Sequence, residues 1–163
     1  MIKYEITDEV HPKNSNLRRI RALRDIRRHG VRAGELGGYI ESEKNLSQDD
    51  NAWVFGNARI YGEARVTGNA WVFGNARAYE KAHVTGDALV YGNASVSGKS
   101  RVYENAVVAD DARVYGDAWI FGNARVYDDA RVTDDACVYG KAKVSGNAKV
   151  SGNDTVSGNE QVS

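Results

Sequence analysis

The sequence predicts an all-β chain: a β-solenoid that winds 18 residues per coil behind a small N-terminal β cap. Three observations predict it. From Asn51 to Ser163 the chain divides, without an insertion, into eighteen complete hexads and one truncated hexad of the form Asn-Ala-x-Val-y-Gly. The second position is Ala except at Ser100, Asp154 and Glu160, and the fourth is Val or Ile except at Ala78. Residues 51 to 68 and 69 to 86 match at fourteen of eighteen positions, so three hexads make one coil.

Each element follows in order. Residues two apart in a strand share a face, so Ala52 with Val54, and Ala58 with Ile60, point inward while the residues between them point out. Gly or an acid, then Asn or Asp, closes most hexads, and these residue types accept the positive φ of a tight corner. A hexad is therefore a short strand and a bend, and three hexads close a triangular coil of the β-helix kind. About six coils stacked at about 4.8 Å give a prism about 30 Å tall. Asp154 and Glu160 enter the Ala column only in the last hexads, so residues 153 to 163 are expected to form an exposed, frayed last coil.

Two units are expected: a hairpin-like cap over residues 1–38 and the solenoid over 39–163. Ile40 and Leu46 carry the pattern upstream and are assigned to the Ala-equivalent column. KYEIT reads as a strand and HPKNSN as a turn. LRRIRALRDI alternates as a strand or repeats as a helix, and the strand is preferred because a hairpin would hide the unpaired edge of the first coil.

The net charge is zero, but residues 1 to 32 hold nine Lys/Arg against four acids, leaving +5 there and −5 in the remainder. Seven arginines between Arg18 and Arg32 can grip nucleic acid or another polyanion. Glu5, Glu9, Asp25, Glu35, Glu41 and Glu43 lie close by as internal partners, so nucleic acid is not the favoured partner. One cysteine, Cys137, excludes an internal disulfide framework. The start MIKYEITDEV lacks the apolar run of a secretory signal, and no stretch suits a membrane span, so a soluble, cytoplasmic chain without a membrane partner is expected.

The runs NLRRIRALRDI and GVRAGELGGYIESEKNLSQDDNAWVFGNARIYG resemble the opening of the YdcK-type hexapeptide-repeat proteins of bacteria, phages and prophages, and the resemblance extends over nearly the whole chain. It implies a single-stranded left-handed β-helix, the trimers common among such proteins, and a transferase label drawn from the likeness of the repeats to acyltransferases. The phage association implies a host-takeover or counter-defence role. No catalytic residues are carried over with it, and fold alone does not give function.

Stacking every eighteenth residue maps the surface. The first face shows Trp53 and Trp71 beside Phe55, Phe73 and Tyr91; the third shows Tyr103, Trp119, Phe121, Cys137 and Tyr139. Two apolar strips at different heights point to a homo-oligomer, dimer or trimer, or to one self-contact plus one docking surface for the N-terminal segment. The alternative is a sugar- or base-stacking platform on a monomer. The second face carries Arg59, Arg77, Arg113 and Arg131 beside Tyr61, Tyr79 and Tyr115, with Ser95 and Ser97 interrupting the row. It reads as a solvated sheet face, or else as a phosphate- and base-binding one. Asp110 and Asp111 fall one coil from Asp128 and Asp129; such a carboxylate corner needs Arg113 and Arg131, or a hard cation such as Ca²⁺, to neutralise it.

Hexapeptide-repeat acyltransferases use a histidine base and a loop extruded from the prism. The hexads here extrude no loop, and their one histidine, His83, points outward. Cys137 reads as an interface thiol rather than a nucleophile. The reading favoured from sequence is a non-catalytic, oligomeric binding solenoid without cofactor that engages a host macromolecule or a small ligand. The rival is an acyltransferase-like enzyme that binds acyl-coenzyme A and uses His83.

Overall fold

The computed structural model describes residues 2–163. It opens with β1 (Tyr4–His11), β2 (Asn14–Ala22) and β3 (Leu36–Ile40), and continues as two-residue strands from Trp53–Val54 to Gln161–Val162. β1 pairs with β2 and β2 with β3, both antiparallel; β3 then pairs in parallel with Arg59–Ile60. From there on every strand pair is parallel, with partners eighteen residues apart, as in Trp53 to Trp71 and Arg113 to Arg131. Three sheets result. The first face is seven strands deep, the second reaches nine because it absorbs β1 to β3, and the third has six plus the bridge from Leu46 to Val66.

The prism is thus seven coils deep, one more than the hexads alone predict, because β3 and Leu46 build a first coil of their own. The expected register of that coil needs correction. Ile40 pairs with Ile60 and Leu46 with Val66, twenty residues on rather than eighteen, so both occupy the Val column and not the Ala column. Two extra residues are taken up between Leu46 and Ala52, and the lengthened corner reaches the cap. LRRIRALRDI forms β2 and a turn, as the strand reading expects, ending in a 3-10 turn at Arg27–His29. Among the described residues no helix is long and apolar enough to cross a membrane.

The inward columns are sealed: Ala52, Val54, Ala106, Val108, Ala136 and Val138 are all 0% exposed. Between coils the outward residue donates its N–H to the inward Ala one coil on, as Trp53 to Ala70 and Leu89 to Ala106, each at 3.0 Å. These ladders satisfy the backbone of a core too narrow for large side chains. Corners sit at positive φ. Gly98 takes φ 68°, and a Cβ there would lie 2.5 Å from the Gly116 carbonyl oxygen. Acids replace Gly at Glu80, Glu104, Asp110, Asp128 and Asp134, all with φ between 55° and 58°. Each offsets the cost of that conformation, about 1–2 kcal/mol, by accepting the N–H of the residue eighteen positions on. Glu104 takes the Gly122 N–H at 2.7 Å and Asp134 the Gly152 N–H at 2.9 Å.

The last coil is ordered rather than frayed. Thr155–Val156 and Gln161–Val162 complete their ladders, while Asp154 and Glu160 stand exposed.

The cap docks through buried polar contacts. Gln48 accepts the N–H groups of Lys3 and Tyr4 at 2.8 and 3.1 Å and donates to the Tyr4 carbonyl at 3.0 Å. The Lys3 ammonium, fully buried, donates to the Ala52 carbonyl at 2.7 Å and meets Asp50 at 3.4 Å. Burial outweighs Asp50 and lowers its pKa from 10.5 to about 8. Above that value the unfolded chain keeps a proton that the folded chain has released, so stability rises with pH through this window. Burial also raises the Tyr4 pKa, which reverses the trend once the unfolded tyrosine ionises above about 10. The urea midpoint is therefore expected to rise between about pH 8 and pH 10, and Lys3→Met to flatten that rise. A wild-type midpoint that falls across this window would exclude the buried ammonium.

Candidate functional site

The two apolar strips have different fates. In the first, Trp53 is covered by the chain itself and Phe55 is not. Trp53 is 0% exposed, with Tyr4 edge-on at 6.4 Å, and His29 of the cap lies 4.9 Å from the Trp71 ring. Of the alternatives expected for this strip, docking of the N-terminal segment is the one that covers Trp53, which is therefore not open to a second copy: Gly37 and Gly38 carry no side chain, so the cap settles on the first coil. A Cβ at Gly37 would lie 2.6 Å from the Val54 carbonyl oxygen and 2.8 Å from Trp53 Cζ2. Arg28 reaches from the cap to Asp87, which ends a side-chain ladder from Asn51 through Asn69. Burial lowers the pKa of His29, so the ring against Trp71 stays neutral at neutral pH. Phe55 remains exposed, and Phe73 stacks on Tyr91 at 4.9 Å, below the capped region.

The strip on the third face has no such cover. Tyr103, Phe121 and Tyr139 form a ladder with 4.9 Å between successive rings and interplanar angles of 7° and 8°. Trp119 stands beside it, edge-on to Tyr103 at 6.2 Å and 41% exposed, with the Arg101 guanidinium 5.4 Å from its ring. Cys137, the register partner of Trp119, is half-buried. Lys99, Asp117 and Asp135 border this strip around a depression of about 460 Å³.

The second face carries Arg59, Arg77, Arg113 and Arg131 in one strand register, with the arginine row broken at Ser95. Tyr61 and Tyr79 stack at 5.1 Å. Upstream the same sheet continues through Tyr39 to Arg19, whose guanidinium lies over the Tyr39 ring at 4.5 Å and pairs with Glu9. Arg21 pairs with Glu5 and Arg24 donates to the Asp50 carbonyl. Internal partners thus account for much of the cap's charge, while Arg18, Arg27 and Arg32 have no ion pair among the described residues.

The carboxylate corner does not converge. Among the described residues no group of three or more His, Cys, Asp or Glu side chains is gathered closely enough for a metal ion. The reason is local. Asp110 turns its carboxylate to the Asp128 N–H at 3.3 Å, Asp128 to the Gly146 N–H at 2.9 Å, and Asp111 accepts from the Asn93 side chain at 3.1 Å. Asp110, Asp111 and Asp128 therefore serve the corners, and Asp129 is not gathered with them.

His83 lies between Arg65 and Arg101, its register partners in the coils on either side. Burial first, then the two guanidinium charges, lower its pKa and favour the neutral imidazole. Beside it is a cleft of about 580 Å³ bordered by Glu41, Lys44, Glu63 and Lys81.

Sequence reasoning missed the cap anchors Lys3, Tyr4, Gln48 and Asp50. Ile40, Leu46 and Ala52 are spaced six apart like the hexads, so the two-residue excess of the register left no signal in the sequence.

The YdcK Beta solenoid repeat family matches residues 58–74 and 124–140. The chain is also 36% identical over 84 residues to the uncharacterized acetyltransferase YdcK of Escherichia coli (strain K12), a match covering 42% of this chain. It covers 25% of that protein's length.

Proposed function

Starting from a chain that is a YdcK-type β-solenoid repeat protein, we propose a non-catalytic, self-associating scaffold that acts through its third face, where a second copy covers Trp119 and the Tyr103–Phe121–Tyr139 ladder. The observation that carries this reading is the contrast between two tryptophans. Trp53, in one aromatic strip, is sealed by the chain's own cap, whereas Trp119, in a strip of the same chemistry, is 41% exposed. Exposed tryptophan flanked by stacked rings and arginine is the composition found at the centre of protein contacts. The remaining Arg/Tyr face then stays open to a further partner. Unbroken hexads from residue 51 onward, with no loop to shape an acceptor pocket, support a role without catalysis.

Light scattering is expected to show a defined oligomer for the wild type and a monomer for the double variant Trp119→Ala/Phe121→Ser, with the same circular dichroism. A wild-type monomer at high concentration would remove the proposal.

A second reading has its own support. The neutral His83 beside a cleft edged by Lys44, Arg65 and Lys81 suits a base next to a polyanionic acyl-coenzyme A, in keeping with the acetyltransferase name of the E. coli relative. Consumption of acetyl-coenzyme A that disappears in His83→Ala would establish that reading over the first.

A further inference from the structure

The outer column of the second face has a gap between two rings. Coil by coil it reads Tyr61, Tyr79, Ser97, Tyr115, Thr133, Ser151. Where successive coils both supply rings they stack, as Tyr61 on Tyr79 at 5.1 Å and 6°. At Ser97 the stack is interrupted, and Tyr79 and Tyr115, two coils apart, are separated by about 10 Å. That spacing admits one flat ring at the ladder's own interval, and no second.

The neighbouring column is cut back at the same level, because Ser95 replaces the arginine carried there by the coils on either side. The resulting cavity is about 420 Å³, walled by Tyr79 and Tyr115 and edged by Arg113 and Arg131. Ser95 and Ser97 form its floor at 6% and 7% exposure. Glu80, also on the rim, is occupied: its carboxylate accepts the Gly98 N–H at 2.6 Å.

We infer that this slot binds a single nucleotide, its base between Tyr79 and Tyr115 and its phosphate on Arg113 and Arg131. Stacking holds any base by its flat faces, the two serine hydroxyls meet its polar edge, and the guanidinium groups require an anion. The slot is one ring deep and closed by tyrosine on both sides, which suits a mononucleotide rather than a run of stacked bases. The site is separate from the third-face contact and does not depend on it.

A similar gap on the first face supplies a control. Ala109 interrupts the column between Tyr91 and Tyr127, leaving about 320 Å³ edged by Arg125 and Lys143, so it differs from the slot in its floor alone, which is Leu89, Val107 and Ala109 without a hydroxyl.

Calorimetric titration of the full chain with AMP is expected to show saturable binding at one site. Ser97→Tyr restores the ring that neighbouring coils carry in this column, and should weaken binding at least about tenfold. Tyr115→Ala, which keeps the slot open but removes one wall, should weaken it by a similar factor, while Ala109→Tyr should leave it unchanged. Arg113→Gln should bring the affinity for AMP toward that for adenosine. Absence of heat with both AMP and GMP at millimolar concentration would overturn the inference, as would equal losses in Ala109→Tyr and Ser97→Tyr. Single-stranded oligoadenylate binding more than about tenfold tighter than AMP would overturn the assignment to one nucleotide.

Discussion

Ala106→Glu is expected to abolish cooperative folding. Ala106 is 0% exposed, lies in the same inward column as Ala88 and Ala124, and accepts the Leu89 N–H through its carbonyl. A carboxylate there has no room and no water. Burying an unpaired charge costs several kcal/mol and overpacking adds about 1–3 kcal/mol, against a whole-domain stability of about 5–15 kcal/mol. The column itself provides the control, since Glu160 occupies the corresponding position in the last described coil and stands exposed. Glu160→Ala should therefore leave the chain folded. Far-UV circular dichroism and a urea titration would measure both. A cooperative wild-type-like transition for Ala106→Glu would mean that the inward columns are not dry.

Trp53→Ala is the second large effect expected, a loss of about 3–5 kcal/mol. The indole is the largest fully buried side chain and lies between the cap and the first face, with Tyr4 against its edge and the bare backbone of Gly37 over it. Its removal leaves a cavity beneath β1 and β2, where the cap rests on the first coil. The loss should be local in outcome: protease cuts within residues 2 to 36 should appear first, while the later coils persist. Trp119→Ala, measured as a monomer, should change stability by about 0.5 kcal/mol at most, because its ring already faces water. Equal destabilisation by the two substitutions would contradict the separation of covered and uncovered strips.

The difference between those tryptophans marks where the sequence stops being legible. Strand, corner and eighteen-residue register are local properties of Ala, Val and Gly columns, so the prism follows from the repeat alone. The aromatic columns were equally visible, including Trp53 above Trp71. What covers them depends on how β2 pairs with β3 and on two surplus residues between Leu46 and Ala52, neither of which leaves a periodic trace. The geometry of the acidic corner was out of reach for a related reason. Column position brings Asp110 near Asp128, but side-chain direction is set by the backbone N–H that each carboxylate finds one coil on. In the sequence the Ser95 and Ser97 pair is only a break in a row, since a gap acquires walls only when Tyr79 and Tyr115 are placed in space.

The uniform eighteen-residue step makes the orientation of each surface a matter of phase. Excising a whole number of turns from the middle of the rod would shorten it and leave every downstream ridge on its original side. Excising one hexad would preserve the interior, where all three walls are built from the same Ala and Val columns, yet swing everything downstream through a third of a revolution. In this architecture the lining tolerates a displacement that the exterior does not, so surfaces assembled from distant turns constrain segment length more tightly than the packing within.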